Sequence, residues 1–337
     1  MKIFLDVMYD DTKNARKIKS CDYNHEGKYP IIDQSSKNVI GYTDEIDGLY
    51  NDVPVIIFGD HTRRFKLVEE PFFIGADGTK VLKLRSSVYD YKFIYYYLLH
   101  KKIPDTGYNR HFKWVKELEF PEIPRSIQSD IVKKLEVLND LISSKNKLLE
   151  SFDILIKSRF VELFGDVVLN TLNWPLVKLS DIAEYRIGLT YKPDAISSSG
   201  TAVLRSGNIQ NSQLCYEDII YVNSKVEPKL LLKNHDILMC ARNGSQSLVG
   251  KVALIENDIS NTTYGAFMIA ISSKYYVYLF EYFRSQAFRR LISVGSTTTI
   301  NQVTTRMLNS IVIPLPDLET INRFALYHSQ INKLKFA

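Results

Sequence analysis

Between Arg125 and Gly165, apolar residues fall at Ile131, Leu135, Leu138, Ile142, Leu149, Phe152, Ile156 and Leu163, in steps of three and four except where Lys145 and Arg159 occupy the seam. That spacing predicts one amphipathic helix with the period of a coiled-coil stripe. Ile127, Leu141, Leu148 and Leu155 form a second line that widens the stripe, enough to cover more than one partner surface. Pro121 and Pro124 exclude an earlier start, Ser126 is placed to cap the first turn, and Gly165 ends the helix. About 39 residues at ~1.5 Å each give a rod of roughly 58 Å. Helices beyond ~25 residues usually mark coiled coils or repeats. Ile131, Leu135, Leu138, Ile142, Leu149, Phe152 and Ile156 are therefore the expected partner-helix interface. The alternative is a long core helix inside one large domain.

On either side of this rod the pattern changes to short strands. Met1 to Lys28 is polar and irregular and reads as a frayed beginning. Tyr29-Pro-Ile-Ile, Val53-Pro-Val-Ile-Ile-Phe, Phe72-Phe-Ile and Val81-Leu-Lys-Leu are strand-like runs separated by Gly and Asp turns. Tyr89 to Lys102 reads as a helix, and the chain from Gly107 as a strand ending at Phe120. After the rod the order repeats. Val203-Leu-Arg, His235 to Cys240, Val252-Ala-Leu-Ile and Phe267 to Ile271 are strand-like, Tyr275 to Arg290 is helical, and Gly295 opens a Thr-rich loop. Ile311-Val-Ile-Pro-Leu-Pro-Asp then leads into a second helix near Glu319. Laying Ile313-Pro over Phe120-Pro and Gly295 over Gly107 gives offsets of ~193 and ~188 residues, which implies an internal duplication. The expected α+β architecture has globular units at 1–124 and 166–316, a connecting helix at 125–165, and a shortened C-terminal helix at 317–337 packing antiparallel to the first.

Composition adds little to this picture. The chain of 337 residues has room for two cores, with 45% hydrophobic and 24% charged residues, 21 Tyr and 17 Phe. No apolar run approaches the ~20 residues of a membrane span, and Met1 to Tyr9 is too short and too acidic for a signal peptide, so a cytoplasmic location is expected. Cys21, Cys215 and Cys240 are widely separated and suggest neither a disulfide framework nor a zinc site. The net charge of +5 permits a nucleic-acid partner without demanding one. Residues 1–124 carry 19 basic and 19 acidic groups and residues 166–316 carry 14 and 11, so any basic footprint must be assembled by folding.

Candidate chemistry points to binding more than to bond making. There is no G-x-x-x-x-G-K-[ST] loop and no G-x-G-x-x-G after a strand, which leaves ATP and methyl-donor chemistry unsupported, and no cofactor is expected. A Mg²⁺ nuclease can be assembled from Pro193-Asp194 and Glu227-Pro-Lys229, but Pro228 would interrupt the strand that should present those groups. The polar loops say more. Gly59-Asp60-His61-Thr62-Arg63-Arg64 follows an apolar strand and throws two guanidinium groups outward, and Arg242-Asn243-Gly244-Ser245 follows the matching strand of the second half. Arg can pair with guanine O6 and N7, and Asn with adenine. Asn109, Arg110 and His111 in one half, and Thr298, Asn301 and Gln302 in the other, form a second pair of polar loops. Lys80, Arg205 and Asn208 complete the candidate set. The bland reading of each is a solvated turn.

These stretches, taken in order, resemble the specificity subunit of type I restriction-modification systems. The match runs through Gly27-Lys-Tyr-Pro-Ile-Ile, Phe58-Gly-Asp-His-Thr-Arg-Arg-Phe-Lys, Pro71 to Leu82, Leu163-Phe-Gly-Asp, Trp174-Pro-Leu-Val-Lys-Leu-Ser-Asp-Ile-Ala, Arg205-Ser-Gly-Asn-Ile, Asp236-Ile-Leu and Ile313-Pro-Leu-Pro. The resemblance implies two target-recognition domains alternating with two helical regions and a role without catalysis. Such a subunit reads a bipartite target in double-stranded DNA, and recruits methyltransferase subunits and, through them, the restriction subunit. It implies no membrane partner. Two departures stand out: the beginning lacks the Trp-x-x-Val-Lys-Leu opening seen at Trp174, which would abbreviate the first domain, and the terminal helix is short, which leaves self-association through the long helix open. The reading of another class is a coiled-coil scaffold without DNA specificity.

Overall fold

The computed structural model describes residues 1–337 except 76, 108, 257–258, 295–301 and 336–337. The chain divides into two compact units, Met1–Lys145 and Asn146–Ala337. In the first, the elements run β1 (Lys2–Ile3), α1 (Phe4–Val7), β2 (Met8–Asp10), β3 (Tyr29–Ile32), β4 (Gly41–Thr43), β5 (Val55–Gly59), β6 (Phe65–Val68), β7 (Phe73–Ile74), β8 (Thr79–Leu84), α2 (Tyr91–His100), α3 (Phe112–Lys116) and β9 (Glu119–Phe120). Helix α4 (Arg125–Phe164) begins in this unit and ends in the next. The second unit continues with β10 (Leu176–Lys178), α5 (Leu179–Ile182), β11 (Glu184–Ile187), β12 (Ile196–Ser197), β13 (Thr201–Leu204), β14 (Ile209–Gln210), β15 (Gln213–Leu214), β16 (Ile220–Val222), β17 (Ile237–Cys240), β18 (Val252–Leu254), β19 (Thr262–Tyr264) and β20 (Met268–Ser272). It closes with α6 (Tyr276–Arg284), α7 (Gln286–Val294), α8 (Thr305–Ser310), β21 (Val312–Pro314) and α9 (Leu318–Lys335).

The duplication is written in the strand pairing. The larger sheet of the first unit has the order β2-β8-β5-β6, and that of the second β11-β20-β17-β18, all antiparallel. The smaller sheets match as well: β3 pairs antiparallel with β4 and parallel with β7, just as β13 pairs with β16 and β19. The central strand β5 is an uninterrupted apolar run because both of its faces are covered. Ile56 and Phe58 face a core shared with α2, whereas Val55 and Ile57 face the small sheet through Ile32, Phe72 and Ile74. In β17 the same alternation sends Ile237 and Met239 toward α6 and α9, and Leu238 and Cys240 toward Leu204 and Ile209.

The opening of the chain is ordered rather than frayed. Phe4, Val7 and Met8 are buried in the first core, and β1 pairs with β9 as β10 pairs with β21. The run Lys2 to Asp10 is thus the topological counterpart of the segment after Trp174, in which Phe4-Leu-Asp-Val replaces Leu179-Ser-Asp-Ile. Lys2, Asp6 and Asp10 interrupt its apolar residues at every fourth position, and elements of two to four residues are too short to show a strand or helix period. Of the stretch from Gly107 only its end, β9, is a strand: Phe112 and Val115 face inward from the short helix α3. The helix expected over Tyr275 to Arg290 is divided at Ser285, whose hydroxyl accepts the Phe288 amide and donates to the Tyr282 carbonyl.

Helix α4 matches its expected span but not a single uniform seam. Its start stands one residue earlier than Ser126, and Gly165 ends it at φ +70°, with its N–H donating to the Val161 carbonyl. In the first unit Val132 and Ile131 pack on the core, and the buried amide of Gln128 donates to the Val88 and Ile123 carbonyls while its oxygen accepts the Asp90 N–H. In the second unit Ile156, Phe160 and Phe164 belong to a core that also holds Ile321, Phe324 and Ile331 of α9, so at Ile156 the stripe faces the chain's own second helix; Phe152 packs partly against that core. Helix α9 runs antiparallel to this part of α4, since Phe324 meets Phe164 at 5.2 Å and Lys335 meets Asp153 at 2.7 Å. Between the buried ends Leu138 and Ile142 remain 53% and 59% exposed. Phe324→Ala should cost about 3–5 kcal/mol, because it removes a fully buried ring from a cluster of three aromatics. Denaturant unfolding followed by the near-ultraviolet signal of the second unit measures it.

Candidate nucleic-acid interface

The apolar strand β5 has to end in a polar turn at Asp60 to Arg64, and that turn is fixed from both sides. Gly59 N–H donates to the Arg64 carbonyl at 2.8 Å and Arg63 N–H to the Gly59 carbonyl at 2.7 Å, with Arg63 at φ +60°. Gln34 accepts from the His61 amide at 3.0 Å and, through its carbonyl, from the Thr62 hydroxyl. The loop before α3 is tied to the same turn. Phe112 N–H donates to the Asp60 carboxylate at 2.7 Å, and the His111 amide and Nδ1 both lie 2.9 Å from the Asp60 carbonyl. Because a carbonyl can only accept, the His111 proton is assigned to Nδ1.

The structure therefore brings together the two loops that the sequence marked in this half. Arg63 Nη2 meets Asp105 at 2.8 Å, and His61 Nδ1 lies 3.2 Å from the Asn109 carbonyl. Donation from Gly107 N–H, and then the Arg63 guanidinium, hold the Asp105 carboxyl below its usual range. Arg64 and Arg110 are exposed. Lys80 is partly covered, bound to Asp10 at 2.9 Å, and the Asn109 amide donates to the Thr106 carbonyl. His111 stands apart: it is fully buried, so its ring holds the loop and presents no edge to a ligand.

In the second unit the turn after β17 is longer, running from Ala241 to Lys251. Ala241 and Arg242 N–H groups both donate to the Phe267 carbonyl, at 2.9 and 3.1 Å, and Val303 N–H donates to the Ala241 carbonyl at 2.7 Å. Arg242 bridges to Gln302, and its guanidinium lies 5.4 Å from the centre of the Phe267 ring. Asn243 donates to the Ser206 hydroxyl at 3.1 Å and accepts the Ser245 amide at 3.0 Å. Arg242, Asn243, Ser245, Gln302 and the 205–208 turn thus converge, with the Arg205 side chain donating to the Asp218 carbonyl. Thr298 and Asn301 lie outside the described residues. Asn208, like His111, is buried and structural: its oxygen accepts the Arg205 amide, and its NH₂ donates to the Cys215 and Glu217 carbonyls. Beside this cluster lies a groove of about 690 Å³, bordered by Tyr191, Gly207, Gly265 and Phe267.

The β ladders put the two turns in register. Gly59 pairs with Thr79 as Cys240 pairs with Met268, so Asp60 corresponds to Ala241, His61 to Arg242 and Gly78 to Phe267. The hydrogen bonds agree, since Asp60 N–H donates to the Gly78 carbonyl at 2.7 Å. Sequence reasoning missed Asp60, Gln34 and Asp105 as the groups that hold the first turn, and Phe267 and Tyr191 beside the second. Phe267 had been absorbed into the apolar run of β20, where nothing in the pattern shows that the strand begins one residue later. Of the alternative nuclease residues, Lys229 is paired with Glu227 at 2.7 Å, and among the described residues no group of three or more His, Cys, Asp or Glu is placed to hold a metal ion.

Comparison with known proteins follows the same division. Residues 171–331 match the family model described as the type I restriction modification DNA specificity domain. The chain is 22% identical to the type I restriction enzyme MjaVIII specificity subunit of Methanocaldococcus jannaschii, over 91% of this chain and 80% of that protein. It is 25% identical to the StySPI specificity subunit of Salmonella potsdam, over 43% of this chain and 33% of the relative. A crystal structure of a type I restriction-modification system S subunit from M. genitalium superposes with a TM-score of 0.58 at 17% identity, covering 99% of this chain and 91% of the other, and so shares its fold.

Asp60→Ala should leave the Phe112 amide without its acceptor, a loss of about 1–3 kcal/mol for a buried donor. Hydrogen exchange at Phe112 should rise by an order of magnitude or more, while the amides of Ile56 to Phe58 keep their protection.

Proposed function

We propose that the chain, whose residues 171–331 match the type I restriction modification DNA specificity domain and which is similar to a type I specificity subunit over 91% of its length, acts as such a subunit, each of its two units reading one half of a split duplex target. The observation that carries this reading is the repeated turn: in both units a doubly buried strand ends in a polar, Arg-bearing loop fixed to the backbone that precedes a short helix. Arg63, Arg64 and Arg110 with His61, and Arg242 with Asn243, Ser245 and Gln302, are the side chains we assign to base and phosphate contacts. A side chain on a fixed loop loses little freedom when it binds, which favours discrimination between bases over mere attraction to charge. His111 and Asn208 support those loops from below, and Lys80, held by Asp10, would act as a secondary phosphate contact.

Bond making then belongs to recruited proteins: methyltransferase subunits, and through them the restriction subunit. Helix α4 offers them its midsection. Leu138, Leu141 and Ile142 are exposed on a helix whose two ends are consumed by cores, and exposed leucine and isoleucine at this spacing suit a partner helix. Leu135 and Leu149 border that region.

Two measurements test the proposal. Arg242→Ala should cost about 1–3 kcal/mol against the preferred duplex and relax preference in one half of the site, while Arg63→Ala with Arg64→Ala should do so in the other. Methylation mapping with the methyltransferase partner reads both, and unchanged preference in the triple variant would refute the loop assignment. Leu138→Lys with Ile142→Lys should weaken assembly with the methyltransferase at least tenfold without lowering the thermal midpoint of the free chain. Assembly that tolerates both lysines would remove the helix from the interface.

A further inference from the structure

The two units share two backbone hydrogen bonds at this turn, Asp60 N–H to Gly78 and His111 N–H to Asp60 in one, Ala241 N–H to Phe267 and Val303 N–H to Ala241 in the other, but differ in the side chain at the accepting position. At the position whose carbonyl receives the turn's first amide, the first unit has Gly78, at φ +79°, and the second has Phe267. A Cβ at Gly78 would come within 2.9 Å of the His61 ring and 3.1 Å of the Gln34 amide, so that space is filled by His61 of the turn and by Gln34. In the second unit the Phe267 ring at the equivalent position stands 59% exposed. Scattered exposed aromatics need no explanation. This one is different, because its position is fixed twice: its carbonyl accepts both the Ala241 and the Arg242 amides, and the Arg242 guanidinium lies over its ring. It also forms one border of the groove that Tyr191 and the 205–208 turn share.

We infer that Phe267 is a specificity-determining side chain of the second unit, its ring meeting the C5-methyl group of a thymine in the major groove, next to the base that Arg242 contacts. The inference rests on the DNA-reading proposal above. The chemistry is complementary. Thymine is the one base that shows an apolar group in that groove, and aromatic side chains are among its known contacts. The cation–π contact between Arg242 and Phe267 couples them, so that the guanidinium arrives at its base with the ring already beside it. A glycine at the equivalent place in the first unit supplies no such contact, so the two half-sites are read by different chemistry on one backbone frame.

The test uses the full chain with its methyltransferase partner. Duplexes are selected from a randomised pool, and each thymine of the selected sequence is replaced in turn by deoxyuridine, which removes only the methyl group. The wild-type chain should lose about fourfold in affinity at one position of one half-site, the worth of one buried methyl. Phe267→Ala should show no loss at that position, and Phe267→Leu a smaller loss than wild type. Because the ring is exposed, both variants should melt with the wild type. Equal discrimination against deoxyuridine by wild type and Phe267→Ala, or a wild-type chain indifferent to every replacement, overturns the inference while leaving the DNA-reading proposal standing. A pool from which no sequence emerges overturns that proposal, and this inference falls with it.

Discussion

Alternate residues of β5 are buried in different cores, Ile56 and Phe58 in one, Val55 and Ile57 in the other. A slip of one residue would exchange the two sets and unseat both cores, so the register of this strand is the most strongly specified feature of its unit. The position of the turn that follows is fixed by the same constraint. Gly59 is the last residue of the ladder, and Asp60 the first that can turn its carboxylate and carbonyl to Phe112 and His111. In the second unit β17 plays the same part, with Ala241 in the place of Asp60. The polar turns are held in place by strands buried on both faces.

Conservation of the frame leaves the loops free to diverge. The first turn spans Asp60 to Arg64 and is closed by the Gly59–Arg64 backbone bond, whereas the second runs from Ala241 to Lys251. The buried ionic and polar anchors differ as well. Asp60 and His111 hold the first turn, while in the second the Phe267 and Ala241 carbonyls accept backbone amides and the Asn243 and Arg289 side chains donate to the Ser206 hydroxyl and the Val249 carbonyl. Position 267 enters this anchor through its carbonyl, which places no demand on the side chain there, and that side chain is a large ring.

Along helix α4 one amphipathic stripe meets two different surroundings. Near its ends the apolar residues are satisfied by the chain itself, through Ile131 and Val132 in one unit and Ile156, Phe160 and Phe164 in the other. Its middle carries residues of the same kind and spacing with no such cover. A periodic pattern reports that a face is apolar and nothing about what lies against it, which is why the seam looked continuous before the two cores were seen.

The periodic and repeated features were determined by the sequence alone: the span of α4, the helix at Tyr91–His100, the apolar central strands, the duplication and the polar turns after each central strand. These depend on short-range spacing, which a linear chain displays directly. Tertiary structure alone decided which polar residues face solvent. His111 and Arg110 are neighbours in a polar loop, yet one ring is buried against Asp60 and the other side chain is exposed, because the choice depends on a backbone carbonyl 51 residues away. It likewise decided that Phe267 leaves its apolar run to stand beside Arg242, since the ladder that ends at Met268 is set by Cys240 on a strand remote in sequence. The irregular start of the chain belongs with these: Phe4, Val7 and Met8 acquire a buried role only when β9 and β8 arrive to pair with their flanking strands.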